Sequence, residues 1–233
     1  VQNTAVGVNA LFGTTSGAYN CAFGAGALQS NTTGYYNTGI GYGALINNIT
    51  GVNNTAVGYA ALNSSTTANY LTAVGYAALT NNTTGYGNCA VGFQAMYYNT
   101  VGVENPAIGN GALMAVTTGT ANVGLGYYAG SQITSGSSNT ALGRQALQAN
   151  TTGNENTAVG RNSLYTNIGG YSNVSLGYAS MFYNTYGYNN VAVGNAALYA
   201  NTTGAENTAV GTNALLANTT GAYNTAVGWG SSA

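Results

Sequence analysis

The chain of 233 residues holds 2 Lys+Arg, 3 Asp+Glu and no His, so 2% of it is charged, against about a quarter of an average globular domain. With a net charge of −1, its field attracts neither nucleic acid nor an anionic membrane surface. At 45% hydrophobic residues it is too apolar for a solvated disordered chain, and it is too poor in acids, bases and metal ligands for most catalysis.

Taken in chain order, the predicted elements are one unit repeated. Asn3-Thr4-Ala5-Val6-Gly7 returns at 54–58, 156–160, 207–211 and 224–228. With its variants, the closing glycine falls at 7, 24, 41, 58, 75, 92, 109, 126, 143, 160, 177, 194, 211 and 228, always 17 residues apart. The unit reads roughly N-T-A-V-G-Y-x-A-L-x-x-N-T-T-G-x-x, and its positions are numbered here as columns 1 to 17. Column 1 is Asn except at Leu71, and column 3 is always Ala, Gly or Ser. Column 4 is apolar, column 8 is Ala or Ser, and column 9 is Leu or Met except at Gly130 and Ser232. Columns 12 to 15 read mostly Asn-Thr-Thr-Gly, with Ala68 replacing the glycine once.

A 17-residue unit with two glycine corners is too short for a helix pair, which takes about 34 residues in the familiar helical repeats. The expected fold is all-β: a parallel β-solenoid, or β-roll, of about fourteen 17-residue coils, with residues 1–233 forming a single repeat array. Columns 1–4 alternate with the period of a strand, and columns 2 and 4 are assigned to its inward face. A second short strand is expected to carry column 9 into the same core. The predicted core is therefore Val6, Val57, Val74, Val91, Leu62 and Leu79, and Val74→Asp is expected to unfold neighbouring coils. Column 5 glycine ends the strand, and the Asn and Gly of N-T-T-G are expected to supply unusual backbone angles at the other turn.

Stacked coils give like residues like neighbours. The asparagines Asn3, Asn20, Asn37, Asn54, Asn88, Asn105, Asn122, Asn139, Asn156, Asn173, Asn190, Asn207 and Asn224 are predicted to form a structural amide ladder along the axis. Column 6 reads Tyr42, Tyr59, Tyr76, Phe93 over four coils, a candidate contact stripe that either stacks on itself, packs against a neighbouring rod or stacks sugars. Column 10 carries Tyr97, Tyr165, Phe182 and Tyr199. Cys21 and Cys89 share column 2, four coils apart. That is beyond disulfide reach, and they are expected to be buried thiols standing in for Thr or Val. Arg144 and Arg161 occupy column 6 of adjacent coils with Glu155 between them in sequence, a candidate ion pair. Sequons at Asn31, Asn82, Asn150, Asn201 and Asn218 follow from the N-T-T-G turn itself and are weak glycosylation signals.

Chemistry finds little to use. The chain has no Lys and no Asp, its Gly-rich stretches complete no dinucleotide or phosphate fingerprint, and no base stands ready to activate a Ser or Thr. No catalytic, cofactor or metal site is expected, and the protein is not expected to be an enzyme. No run of 18 apolar residues occurs to insert into a membrane. The chain starts at Val1 without Met or a cationic, apolar leader, so a signal peptide is expected to have been removed or to lie outside this chain.

The N-T-A-V-G unit, followed by a small residue and a Gly-containing turn, resembles the S-V-A-I-G repeats of trimeric autotransporter adhesin heads. It is also similar to the N-T-A-V-G-Y-x-A-L-x-x-N-T-T-G arrays of phage and virus tail fibres. The resemblance spans essentially the whole chain. In the adhesin heads it implies a left-handed parallel β-roll with three chains side by side, binding host matrix or cell surfaces. The unit here is longer and stricter than in those heads, and neither a coiled-coil stalk and membrane anchor nor a fibre-tip or chaperone domain is seen.

The expected function is structural: a subunit of an extracellular fibre or filament, at a cell or virion surface. Its partner would be itself, as a homotrimer, a filament or both. Near-neutral rods with small-residue files in columns 3 and 8 and no capping segment at either end are expected not to work as free monomers. The alternative is an adhesive or receptor-binding head or shaft whose partner is a host-surface glycan or protein. Ice binding ranks third, because column 2 is placed inside and only one threonine file of the N-T-T-G turn would face out.

Overall fold

The computed structural model describes residues 2–232, and their only regular secondary structure is strand. The chain divides into two compact units, Val1–Thr118 and Gly119–Ala233. The first contains β1 (Thr4–Val6), β2 (Cys21–Phe23), β3 (Thr38–Ile40), β4 (Thr55–Val57), β5 (Thr72–Val74), β6 (Cys89–Val91) and β7 (Pro106–Ile108). The second contains β8 (Val123–Leu125), β9 (Thr140–Leu142), β10 (Thr157–Val159), β11 (Val174–Leu176), β12 (Val191–Val193), β13 (Thr208–Val210) and β14 (Thr225–Val227). Within each unit every strand pairs in parallel with the next at a register of one repeat, as in Thr4↔Cys21 or Thr157↔Val174. Each unit is a parallel β-solenoid with 17-residue coils.

Each coil contains one strand, not two. Columns 6 to 11 form consecutive tight turns: the Ala27 amide donates to Gly24 O at 3.2 Å, and the Gln29 amide to Gly26 O at 3.3 Å. In these turns the third residue has positive φ, +69° at Gly26 and +52° at Leu28, while the second does not, which is the signature of a type II turn. The column 9 leucines and methionines therefore all sit in the left-handed region, from Leu11 to Leu215. That conformation costs an L-residue about 1–2 kcal/mol. It is retained because it turns the side chain inward, where full burial of a Leu contributes about 1.5–3 kcal/mol. Leu62 and Leu79 are completely buried. Where Gly130 replaces the leucine, Ile133 of the same coil is buried in the core.

The period-2 pattern of the strand is present, but its phase is the reverse of that expected. Column 3 faces in: Ala56, Ala73, Ala90, Ala141 and Ala158 are fully buried. Column 4 faces out, so Val6 is 48% exposed and Val57, Val74 and Val91 are only half-buried. The reason is the thinness of the coil. At Gly39, in column 3, a β-carbon would already lie 3.2 Å from Ala44 O and 3.3 Å from Leu28 Cγ. A valine's two further methyls have no room there, so the larger residue takes the outer side. Ala73→Val is predicted to cost about 1–3 kcal/mol by overpacking, and Val74→Thr less than about 1 kcal/mol. Thermal melts of the two variants check the order; equal losses, or a larger loss for Val74→Thr, would restore the opposite phase.

The column 1 asparagines face inward beside the alanines and form the ladder. The Asn20 amide N–H donates to Asn3 Oδ1 at 2.8 Å, and Asn20 Nδ2 donates to Gly34 O at 2.8 Å. The same pattern recurs at Asn37, Asn54, Asn156, Asn173, Asn190 and Asn207. Asn88, Asn105, Asn139 and Asn224 join it, as does Asn122, whose Oδ1 accepts from Asn139. Column 12 holds a second ladder that is amide to amide: Asn48 Nδ2 donates to Asn31 Oδ1 at 2.8 Å and Asn99 Nδ2 to Asn82 Oδ1 at 2.6 Å. Neither Asn31 nor Gly34 has positive φ, so the N-T-T-G turn uses its Asn and Gly for hydrogen bonding and space rather than for backbone angle.

The two ladders explain three irregularities at once. A β-carbon on Gly51, in column 15, would fall on Asn48 Oδ1 and come within 3.0 Å of Asn54 Nδ2, the column 12 asparagine of its own coil and the column 1 asparagine that opens the next. Ala68 carries that β-carbon, and both flanking asparagines are replaced, by Ser65 in its own coil and by Leu71 at the start of the next. Buried Asn48 Oδ1 and Ser65 Oγ are then left without a partner, as is Asn99 Oδ1 below Val116. Ser65→Asn alone is predicted to lower the melting temperature by driving an amide against the Ala68 β-carbon. Combined with Ala68→Gly, it rejoins Asn48 to Asn82 and raises stability above the wild type by about 1 kcal/mol. A double variant no better than the single one contradicts this coupling.

Candidate functional site

The side chains available to a partner are those of columns 2, 4, 6 and 7 and of the turn columns 10, 11, 13, 14, 16 and 17. On the strand's outer side, column 4 presents Val6, Phe23, Ile40 and Ile108 in the first unit and Leu125 and Val227 in the second, all among the exposed apolar residues. Column 2 presents Thr38, Thr55 and Thr72 beside them, half-buried on consecutive strands. The expected placement of column 2 inside is corrected with that of column 4, since both lie on one side of a strand.

The cysteines follow column 2 outward. Cys21 is exposed, Cys89 half-buried, and both are free thiols. Burial pushes the Cys89 thiol above its ordinary range, which lowers its thiolate fraction at neutral pH. Alkylation by iodoacetamide at pH 8 is predicted to modify Cys21 several-fold faster than Cys89, followed by peptide mass spectrometry. Protection of both would put column 2 back inside the coil.

The column 6 stripe stacks on itself. Tyr42, Tyr59, Tyr76 and Phe93 lie 5.4, 5.2 and 5.3 Å apart between ring centroids, with planes within 8–11° of parallel. Each inner ring has both faces covered by its neighbours, so the file shows its edges and hydroxyls to solvent. Sugars cannot stack along its length, though its two end faces are a separate matter. Shorter stacks pair Tyr19 with Tyr36 and Tyr171 with Tyr188. Tyr165, Phe182 and Tyr199 form a stack in column 10, with Tyr183 edge-on to the last two. There, burial first and a hydrogen bond with Tyr183 second push the Tyr199 phenol up from its ordinary range. Tyr97, in the same column, lies edge-on to Tyr98 above Asn81 and Thr83, lining a shallow open groove.

The few charges do not pair as expected. The Arg144 guanidinium lies over the Tyr127 ring at 5.8 Å and that of Arg161 over Tyr178 at 5.7 Å, while Glu155 accepts a hydrogen bond from Ser172 Oγ. In the second unit, guanidinium groups thus cover ring faces of column 6. Sequon residues Asn31, Asn82, Asn150 and Asn201 are fully buried in the column 12 ladder, where no glycan could be attached without unfolding the coil. Column 13 threonines spend their hydroxyls between coils: Thr15, Thr32, Thr83 and Thr151 each donate to the carbonyl one coil on.

Sequence reasoning missed the outer strand side and the column 12 ladder. Two signals pointed to them: a column 3 that is never larger than Ser, which marks the crowded side, and nine asparagines in column 12. No protein-family model matches the chain, and no curated protein or solved structure is significantly similar to it. By its fold it is a β-solenoid repeat protein.

Proposed function

We propose that this chain is a structural subunit of an extracellular fibre or filament, at a cell or virion surface, whose copies pack side by side through the outer side of the strands. One observation carries the reading: an in-register apolar file runs along the outer strand side of each unit, exposed at Val6, Phe23, Ile40 and Ile108 in one and at Leu125 and Val227 in the other and half-buried between, on a chain with five charges. Isolated exposed apolar residues are ordinary, but a continuous file of them marks an interface. One unit's strand side, with the adjoining column 6 side chains, spans roughly 34 Å by 20 Å. That approaches the about 800 Å² per partner of a standard stable interface. Near-zero net charge leaves little repulsion to hold copies apart. Side-by-side association is also what the resemblance to trimeric adhesin heads implies.

The same scaffold serves the adhesive alternative, in which a host glycan or protein takes the place of the second copy. Ice binding gains one observation over the sequence reading, since the column 2 threonines stand outward on adjacent strands. Thermal hysteresis of dilute protein separates it from the fibre reading.

The test is sedimentation at micromolar concentration. The wild type is expected to form trimers or larger species, and Val57→Lys/Val74→Lys to dissociate them while keeping its β-sheet circular dichroism, because both side chains already border solvent. A wild-type chain that stays monomeric, or a double variant that assembles unchanged, defeats the proposal.

A further inference from the structure

The aromatic file of column 6 is missing one ring. Below Tyr42 the column continues with Ala25 and then Val8, so the lower face of Tyr42 has no neighbour to cover it. Tyr42 is accordingly the most exposed of the four, at 62% against 46–51% for the other three. The gap is a notch of about 220 Å³ floored by Ala25 and Gly26, with Val8 below, Tyr42 above, and Asn9, Gln29 and Ile46 at its rim. It is smaller than the ~300–1,000 Å³ of pockets for drug-sized ligands and has room for a single six-membered ring. Rings two coils apart along the axis stand about 9.6 Å apart, so one ring slips between Val8 and Tyr42 at the spacing the file itself uses.

We propose that this notch is a binding site for one neutral pyranose ring, stacked on the free face of Tyr42. The rim chemistry selects the class. A ligand here meets an aromatic face above, an aliphatic side chain below and uncharged amides at the edge, and Glu104, the only acid of the first unit, lies several coils away. A sugar ring offers axial C–H groups to the π-face and hydroxyls to the Gln29 and Asn9 amides. A carboxylated or sulfated sugar would find no cation in the first unit, because both arginines belong to the second. The competing occupant is a planar cation, since Arg144 and Arg161 use tyrosine faces of the same column in this way. A guanidinium is smaller than the notch and would be stripped of water on its Val8 side without a carboxylate to pair with. The site does not depend on self-association and goes beyond the fibre reading.

The experiment is a saturation-transfer NMR titration of the full chain with methyl β-D-glucopyranoside, and separately with phenol and arginine amide. The glucoside is expected to bind and to receive saturation on the C–H face of its ring. Ala25→Tyr, which completes the file with a residue the column already carries, is expected to weaken it at least tenfold. Tyr42→Ser, which removes the stacking face, is expected to do the same, and Tyr76→Ser to leave it unchanged. No glucoside binding, binding unaffected by Ala25→Tyr or Tyr42→Ser, or occupation of the notch by phenol or arginine amide in place of the glucoside would overturn the assignment. Sedimentation of the same samples reads the fibre proposal separately.

Discussion

Adjacent coils approach so closely that their backbones leave no space for a side chain at column 5 and almost none at column 15, where Ala68 alone replaces glycine. A β-carbon at Gly41, in column 5, would stand 2.5 Å from Gly58 O, and one at Gly17, in column 15, 2.5 Å from Gly34 O. At column 5 the backbone also takes φ near +130°, a conformation open to glycine alone. This contact fixes the 17-residue period: an insertion or deletion would carry a side chain into a position where none fits. It also sets what can lie inside. With coils this narrow, small residues in columns 3 and 8, one Leu or Met in column 9, and hydrogen-bonded asparagines in columns 1 and 12 fill most of the interior, with Leu71, Val116 and Ile133 replacing asparagines in a few coils.

The buried asparagines resolve a difficulty that an apolar core would not face. A buried amide without partners costs several kcal/mol, but one that repeats every coil satisfies itself on the residue above and below. The ladder is as strong as its continuity, and its breaks are visible as unpartnered oxygens at Asn48 and Asn99. The stretch from Ser65 through Ala68 to Leu71 shows the rule by departing from it: one added methyl excludes two amides. The left-handed column 9 residues follow the same logic, local strain being offset by burial in a core too thin to be reached otherwise.

Period, coil length, strand class and the column 1 ladder were legible in the sequence because each depends on residue identity repeated in register. The direction in which the strand faces was not. Both phases put an alternating pattern on the strand, and the rule that apolar residues face in favours Val57 and Val74 over Ala56 and Ala73. The decision rests on the distance across the coil, which no single repeat reveals. The second strand expected at column 9 failed for a related reason: positive φ at Leu28 or Met96 runs against the preference of an L-residue and is imposed by the turn around it. The gap below Tyr42 was present in the sequence as Ala25, but it becomes a notch only once the rings are seen to stack.

The central claim is that inter-coil ladders joining side-chain oxygens to backbone amides hold the coils in register. Amide hydrogen exchange resolved to single residues tests it most directly, because the chain contains its own control. Asn37 and Asn54 donate their backbone N–H to the asparagine one coil before, whereas Asn88 follows Leu71, which has no side-chain oxygen to accept it. The account predicts strong protection at Asn37 and Asn54, matching that of the strand amides, and markedly faster exchange at Asn88. Uniform protection across all three, or rapid exchange at Asn37 and Asn54, would contradict it.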